Sequence, residues 1–497
     1  MAKIRAFSRA FWQEYLFHPQ RWVRLLALGT VCIATALLIG AITGLLGALL
    51  GSAALIGLVL IYAALRHLQV GFWALVGIIF LLPFAAFPID IGFSPTFLDL
   101  ALVGVYFVWI SRIVAHQEER FIAPSPSLGV FAFAMMAIVS FVAGLGHAPL
   151  TANILRRFFE VVLGISFFFV VVNAVRTPKE LRAILRVIIV AASAAAAIGI
   201  VLYVLPQPIT IRLLSALRVV RYPSGPDVLR FIEDNPELPL RATSTSIDPN
   251  VLGGALIFAT TITVAQSLGR RPVLPRPWLI LGAALMGACL ILTFSRGSFV
   301  GLAAALGLLG LLRHRRLLWI GLLALGVMVL LPPTRVYIEH FIAGVRGEDL
   351  ATQMRFGEYK DALILISRHP WLGVGFAGTP EVDTYLGVSN VYLLIAEEMG
   401  ILGVALFVAT LGTLLGSFFA IRRRLSADSP LEPIVYGTSL AILGGLVGGL
   451  FDHYLFNLAF PHATVLLWMT AGLSIAAMRM AKAEGAQAAA TSLNHKG

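Results

Sequence analysis

Ser389-Asn390-Val391-Tyr392-Leu393-Leu394-Ile395-Ala396-Glu397-Glu398-Met399-Gly400 is where a long polar segment gives way to an apolar run that continues to about Ala420. A helix needs about twenty apolar residues to cross a bilayer core about 30 Å thick, so this junction marks the mouth of a membrane span. Upstream of it, residues 332–390 hold Met354-Arg355-Phe356-Gly357-Glu358-Tyr359 and Arg368-His369-Pro370-Trp371-Leu372-Gly373-Val374-Gly375. Connections of this length in a compact protein are usually functional, and the rest of the chain reads as the frame that holds this one outside the bilayer. A short helix is expected from about Met354 to Ser367, stopped by Pro370 and followed by a turn at Gly373, Gly375 and Gly378. A lid that merely covers the membrane domain is the plainer reading of the same segment.

The composition fits that frame. Of 497 residues, 59% are hydrophobic and 12% charged, and the mean hydropathy is +0.90, whereas a soluble domain carries about a quarter charged residues. The fold class expected is all-α, a polytopic integral membrane protein of about 12–14 transmembrane helices with one large external loop containing short helices. The formal net charge of +12 lies mostly in short clusters between apolar runs, where it sets topology; nucleic acid is a poor explanation of it. Cys32 and Cys289 lie inside apolar stretches and make neither a disulfide framework nor a zinc site. No metal site and no cofactor are expected. Lys3, Arg5, Arg9, Arg21 and Arg24 precede about forty apolar residues, which reads as a helical hairpin entered from the cytoplasm and not as a cleaved leader.

Apolar runs near 23–43, 44–65, 70–88, 97–114, 127–145, 154–174, 181–205, 249–268, 277–295, 297–312, 317–332, 391–420, 431–451 and 460–480 organise the chain. They group into N-terminal helices over 1–205, a first external loop over 206–248, central helices over 249–331, the large external loop over 332–390, C-terminal helices over 391–480 and a disordered Ala-rich tail over 481–497. Arg66, Arg112, Arg176, Arg270, Arg313, Arg422 and Arg479 with their neighbours then fall on one side, the cytoplasmic one. The first external loop is the exception, with Arg212, Arg218, Arg221, Arg230 and Arg241 and no lysine. Ion pairs with Asp227, Glu233, Asp234, Glu237 and Asp248 would account for most of these.

Several residues carry possible chemistry. Arg296, in Thr293-Phe294-Ser295-Arg296-Gly297-Ser298, sits between two apolar runs with almost no loop; such a charge either binds something or snorkels to headgroups. Arg156 and Arg157 open another run, with Glu160 placed for an i,i+4 ion pair or the arginines for a phosphate. Arg241 precedes Ala242-Thr243-Ser244-Thr245-Ser246-Ile247-Asp248-Pro249-Asn250, a hydroxyl-rich entry to a helix whose free N–H groups would favour an anion. Arg355 stands three residues from Glu358, a salt bridge or a ligand contact. Arg241, Arg296 and Arg355 together are what a lipid diphosphate at the interface needs, because fixed guanidinium charges stabilise a departing diphosphate. Glycosyl transfer also calls for a base; the candidates are Asp383, Glu381, His369 and the Asp452-His453-Tyr454 group, with His453 foremost.

These stretches resemble the O-antigen ligase and polysaccharide polymerase superfamily of bacterial envelopes. The likeness rests on Arg241 to Asn250, Thr293 to Ser298, Arg355 to Tyr359 leading to His369 through Gly375, and Asn390 to Leu393 leading to Glu398-Met399-Gly400, with a looser echo at Phe451 to Tyr454. The resemblance implies a GT-C-like membrane glycosyltransferase of polysaccharide biosynthesis, metal-independent and inverting. It would move a glycan from an undecaprenyl diphosphate carrier to a lipid or glycan acceptor at the outer face of the cytoplasmic membrane. Arg241, Arg296 and Arg355, with Arg156 and Arg157, would bind the diphosphate; His453, Asp383 and Arg355 would be catalytic; Ser389, Asn390, Tyr392, His369 and Glu358 would position acceptor and loop. Many members have His before the Asn, where this chain has Ser389, which cannot act as a base near neutral pH. The partners implied are the polyprenyl-diphosphate-linked glycan, its acceptor and the bilayer. A flippase of the same lipid-linked sugar is the alternative; it would show repeat symmetry and charges near the midplane.

Overall fold

The computed structural model describes residues 20–494, with gaps at 91, 116–120, 331–341, 343, 345, 349 and 380–385 and at scattered positions between 21 and 65. Two compact units divide the chain, 1–71 and 72–497. In the first, the described positions between 22 and 66 are helical, where two of the apolar runs were placed.

The ordered helices are α1 (Leu68–Leu81), α2 (Phe97–Val114), α3 (Ser127–Gly144), α4 (Ala152–Ala174), α5 (Pro178–Val204), α6 (Gln207–Ala216), α7 (Pro249–Leu268), α8 (Arg276–Leu292), α9 (Arg296–Leu312), α10 (Arg316–Leu330), α11 (Leu350–Arg368), α12 (Val391–Ile421), α13 (Glu432–Gly448) and α14 (Pro461–Asn494). The only strands among the described residues are β1 (Arg230–Phe231) and β2 (Leu240–Arg241), paired antiparallel. Among the described residues six helices, α2, α3, α5, α7, α12 and α14, are long and apolar enough to cross a membrane, and α1, α8, α9 and α13 are shorter apolar helices. The chain is an all-α polytopic membrane protein.

Helix starts follow the residues that precede each apolar run. Thr96 and Thr177 form capping boxes with Asp99 and Glu180, and Thr151, Asp248, Ser295 and Asn390 cap α4, α7, α9 and α12. Each supplies an acceptor for N–H groups the helix cannot satisfy itself. Packing places α7 and α14 at the centre: their apolar windows are 78% and 94% buried, against 28% for α2. Around them α4 packs on α14, α13 on α7 and α9, α8 on α5 and α7, and α12 on α3.

Two glycine-bearing stretches of the sequence turn out to be one structure. Helix α12 breaks at Gly400, whose φ is 69°. The N–H groups of Val374 and Gly375 donate to the carbonyls of Glu397 (2.7 Å) and Glu398 (3.1 Å), and Ile401 N–H donates to Pro370 O at 2.8 Å. The loop backbone thus fills the gap in the helix. Gly373, with φ +68°, lies so close that a Cβ would run into the backbone of Glu397, Glu398 and Met399.

Helix α11 starts four residues before the expected Met354. Helix α14 continues to Asn494, into the Ala-rich stretch read as a tail, and alanine is the strongest helix former. The first loop between α5 and α7 is built from α6, short 3-10 turns and the strand pair.

Gly373→Ala is expected to lower stability by about 2–4 kcal/mol, the sum of left-handed strain and overpacking against backbone. Gly357→Ala, where a Cβ on α11 meets nothing, should be neutral or slightly stabilising. Thermal unfolding of the two variants in detergent separates these outcomes.

Candidate functional site

The strand pair sets Arg230 directly opposite Arg241. Beyond β2, Ala242 N–H donates to Leu292 O (2.8 Å) at the end of α8, and Ser244 Oγ to Ala195 O (2.8 Å) of α5. These bonds anchor the hydroxyl-rich entry to α7. Its helix-start donors are not free, as the sequence led us to expect: Asp248 Oδ1 accepts from Asn250 N–H (2.7 Å) and Val251 N–H (3.1 Å). The anion-attracting end is therefore occupied by the chain's own carboxylate.

Arg241 is held rigidly. Its Nε donates to Thr293 O at 2.8 Å and one Nη2 hydrogen to Asn250 Oδ1 at 2.6 Å, which leaves other guanidinium hydrogens available. Burial pushes its pKa down, opposed by the charges of Asp248 and Asp452, while Arg355 adds to the lowering; an arginine stays charged regardless. Two of these neighbours, Asp452 and Arg355, come from segments far away in sequence.

Arg296 opens α9 behind its cap Ser295. Its Nη2 donates to Thr352 Oγ1 at 3.4 Å, and a Cβ on Gly344 would collide with the guanidinium. The side chain therefore meets the large loop and not the headgroups. Thr352 lies three residues before Arg355 on α11, hence on the same face. Arg241, Arg296 and Arg355 are linked in this way: Arg241 bonds Thr293, next to Arg296's helix cap, Arg296 bonds Thr352, and Arg355 lies within electrostatic range of Arg241.

The salt bridge between Arg355 and Glu358 is absent; Glu358 Oε2 instead accepts from Ser389 N–H at 2.9 Å. Asn390 Oδ1 caps α12 through Tyr392 and Leu393 N–H, its Nδ2 donates to Leu450 O at 3.0 Å, and Tyr392 Oη donates to Leu446 O at 2.9 Å. These groups tie α12 to the end of α13 and so to the next turn. In that turn Asp452 is 7% exposed. Its Oδ1 accepts from His453 N–H at 2.7 Å, and His453 Nδ1 stands 3.6 Å from the same oxygen. The ring of Tyr454 packs where a Cβ on Gly254 would be, which locks the turn onto α7.

The remaining candidates lie differently. Arg156 Nη1 is shared between Asp99 and Glu160, each at 2.9 Å, so the i,i+4 pair exists with a second carboxylate added. Arg157 is exposed. The His369 ring lies 5.5 Å from that of His147, whose Nδ1 is 2.8 Å from Val374 O. Asp383 and Glu381 lie outside the described residues. The expected ion pairs of the first loop do not form: among the described residues none of Arg212, Arg218, Arg221, Arg230 and Arg241 pairs with a carboxylate. Sequence reasoning missed Thr352, the holding role of Asn250, and the place of Arg230, which with Arg241, Leu202, Leu214 and Leu229 lines a shallow open cleft. The turn that brings Asn250 back to Arg241 depends on left-handed Ser244 and Ile247, which no spacing rule announces.

Burial raises the Asp452 pKa above its ordinary 3.8, with His453 and Arg355 opposing. A carboxyl that binds its proton more tightly when folded stabilises the fold fully below its unfolded pKa, and that contribution is lost as pH rises through the folded value. Asp452→Asn should accordingly flatten the fall in stability above pH 3.8 and be no less stable than wild type at neutral pH. Unfolding midpoints across a pH series check this.

Residues 281–408, from α8 through Arg296, Arg355 and the α12 break, match the model of a family described as O-antigen ligase. The chain is also similar to an O-antigen ligase of Pseudomonas aeruginosa, 30% identical over 242 residues. That alignment covers 47% of this chain and 56% of the relative, so it spans about half the length of each. The matched residues are thus similar to the O-antigen ligase family, and the apolar helices around them fit a multi-pass bacterial membrane protein.

Proposed function

We propose that the protein is a membrane glycosyltransferase that moves a glycan from an undecaprenyl diphosphate carrier to an acceptor hydroxyl, at the periplasmic face of the bacterial inner membrane. The observation that carries this reading is the linkage of Arg241, Arg296 and Arg355 beside the buried Asp452 and the half-buried His453. The acceptor oxygen attacks the anomeric carbon from the face opposite the carrier. The bond from that carbon to the phosphate oxygen breaks, and its electrons stay on the diphosphate. One displacement inverts the anomeric centre. The three guanidinium groups neutralise the charge that builds on the leaving diphosphate, so they do the work a bound cation does in other transferases. His453 takes the acceptor proton through its ring, and Asp452 beside it stabilises the imidazolium that forms. Asn250 and Thr293 O hold Arg241 so that little reorganisation is left to the moment of reaction.

A transporter of the same lipid draws on one feature: α12 is broken at Gly400 just after the buried Glu397 and Glu398, as transporter helices often are. Here the broken ends are filled by Pro370, Val374 and Gly375, which favours the enzyme.

Purified protein incubated with a polyprenyl-diphosphate oligosaccharide, with and without EDTA, should yield transferred glycan in both cases. Longer glycan on the carrier marks a polymerase, and glycan on another acceptor a ligase. Unchanged lipid that nonetheless crosses a liposome bilayer refutes the proposal. Arg241→Ala, Arg296→Ala and Arg355→Ala should each cost about 10²–10³ in rate, with Arg→Lys also poor because a point charge loses the bidentate fork. Asn250→Ala removes a hydrogen bond to a charged group and should cost about ten- to a hundredfold.

A further inference from the structure

The stretch from Leu205 to Gly225 contains Arg212, Arg218 and Arg221 and no acidic residue, and the transfer chemistry uses none of these arginines. It folds as α6 and a 3-10 turn over Leu217–Val220. Helix α6 follows directly on the span α5, and its inner side is fixed there: Thr210 Oγ1 donates to Leu202 O at 2.8 Å, and Leu214 packs on Leu202 and Val228. The far side carries Ile209 and Leu213, 45% and 49% exposed, with Arg212 exposed between them. That i, i+3, i+4 spacing makes one stripe. It continues the exposed Val201 and Val204 at the end of α5, so the apolar surface of the span runs on into the helix. Arg218 and Arg221 are exposed beside it, and none of the three arginines has a carboxylate partner among the described residues. The segment is firmly placed, since Ala86 N–H donates to Val220 O (2.9 Å), Arg221 Nη1 to Ser94 Oγ (2.7 Å) and Gly225 N–H to Ser215 Oγ (3.0 Å).

We propose that α6 and the turn after it form an interfacial element that holds the phosphate groups of anionic membrane lipids. Ile209 and Leu213 enter the boundary between headgroups and acyl chains, and Arg212, Arg218 and Arg221 take the phosphates, the arrangement of a helix that lies in a membrane surface. An anionic bilayer is the occupant because the stripe is continuous with the lipid-facing end of a span and its charge is of one sign. Since the inner side of α6 shares its cleft with Arg230 and Arg241, this seating also steadies the strand that carries Arg241.

The test is hydrogen exchange of the full chain in nanodiscs of phosphatidylcholine alone or with about one-third phosphatidylglycerol, at low salt. Amides of 207–221 should exchange several-fold more slowly in the anionic discs, and raising salt to about 1 M should erase the difference by screening. The Arg212→Gln/Arg218→Gln/Arg221→Gln variant should show no lipid dependence while α7 peptides exchange as in wild type. Equal exchange in the two lipids, or a difference that survives high salt, overturns the proposal without recourse to any variant. A difference that persists in the triple variant overturns it as well.

Discussion

Inside a bilayer a backbone N–H or C=O without a partner costs several kcal/mol, and that constraint shapes this protein around the break in α12. A helix interrupted at Gly400 frees carbonyls at Glu397 and Glu398 and an N–H at Ile401. Those groups are met by Val374, Gly375 and Pro370. Such pairing demands that two backbones approach without side chains between them, hence Gly373 and Gly400. It also fixes the C-terminal end of α11 against the membrane domain. Arg355 and Thr352 ride on that helix, so their placement relative to Arg241 and Arg296 descends from a backbone requirement.

The arginines impose the opposite kind of constraint. Arg241 is half-buried and makes its close bonds to neutral acceptors, Thr293 O and Asn250 Oδ1. Carboxylates act on it only at longer range, and Arg355 acts against them. Arg230 stands opposite it across the strand pair, where like charges are unfavourable. Positive charge gathered in this way is relieved by an anion and by little else the chain provides.

Much of this could be read from the sequence, and the parts that could not share a cause. Apolar runs gave the helices because length and hydropathy are local properties, and the entry to a helix after Asp248 and the junction at Asn390 were visible because capping is local too. The motifs around Arg241, Arg296 and Arg355 were visible as stretches. Partner choice was not. Arg156 finds Asp99 in addition to Glu160, and Glu358 takes Ser389 N–H instead of Arg355. These contacts join separate elements, and no spacing rule reaches across them. The α12 break escaped notice because Met399-Gly400-Ile401 continues the apolar pattern on both sides; only the coming together of two glycine stretches reveals it.

The arginines of the first loop differ in their partners from those that pair with acids elsewhere in the bundle, Arg156 with Asp99 and Glu160 among them. Helices α7 and α9 both start at the end that holds Arg241 and Arg296, and both finish at the other, followed by Arg270 and Arg313. There Arg270 meets Asp428 and Arg313 meets Glu432, while Arg186, Arg276 and Arg479 donate to backbone carbonyls. At the starting end Arg212, Arg218, Arg221, Arg230 and Arg241 have no such partner among the described residues. Scarcity of acid is not the reason, since Asp227, Glu233, Asp234, Glu237 and Asp248 lie in the same loop, and Asp248 is spent on a helix cap. A chain that pairs Arg156, Arg270 and Arg313 with carboxylates, yet among the described residues keeps carboxylates off the arginines of this one loop, leaves there the charge that the proposed lipid phosphate contacts draw on.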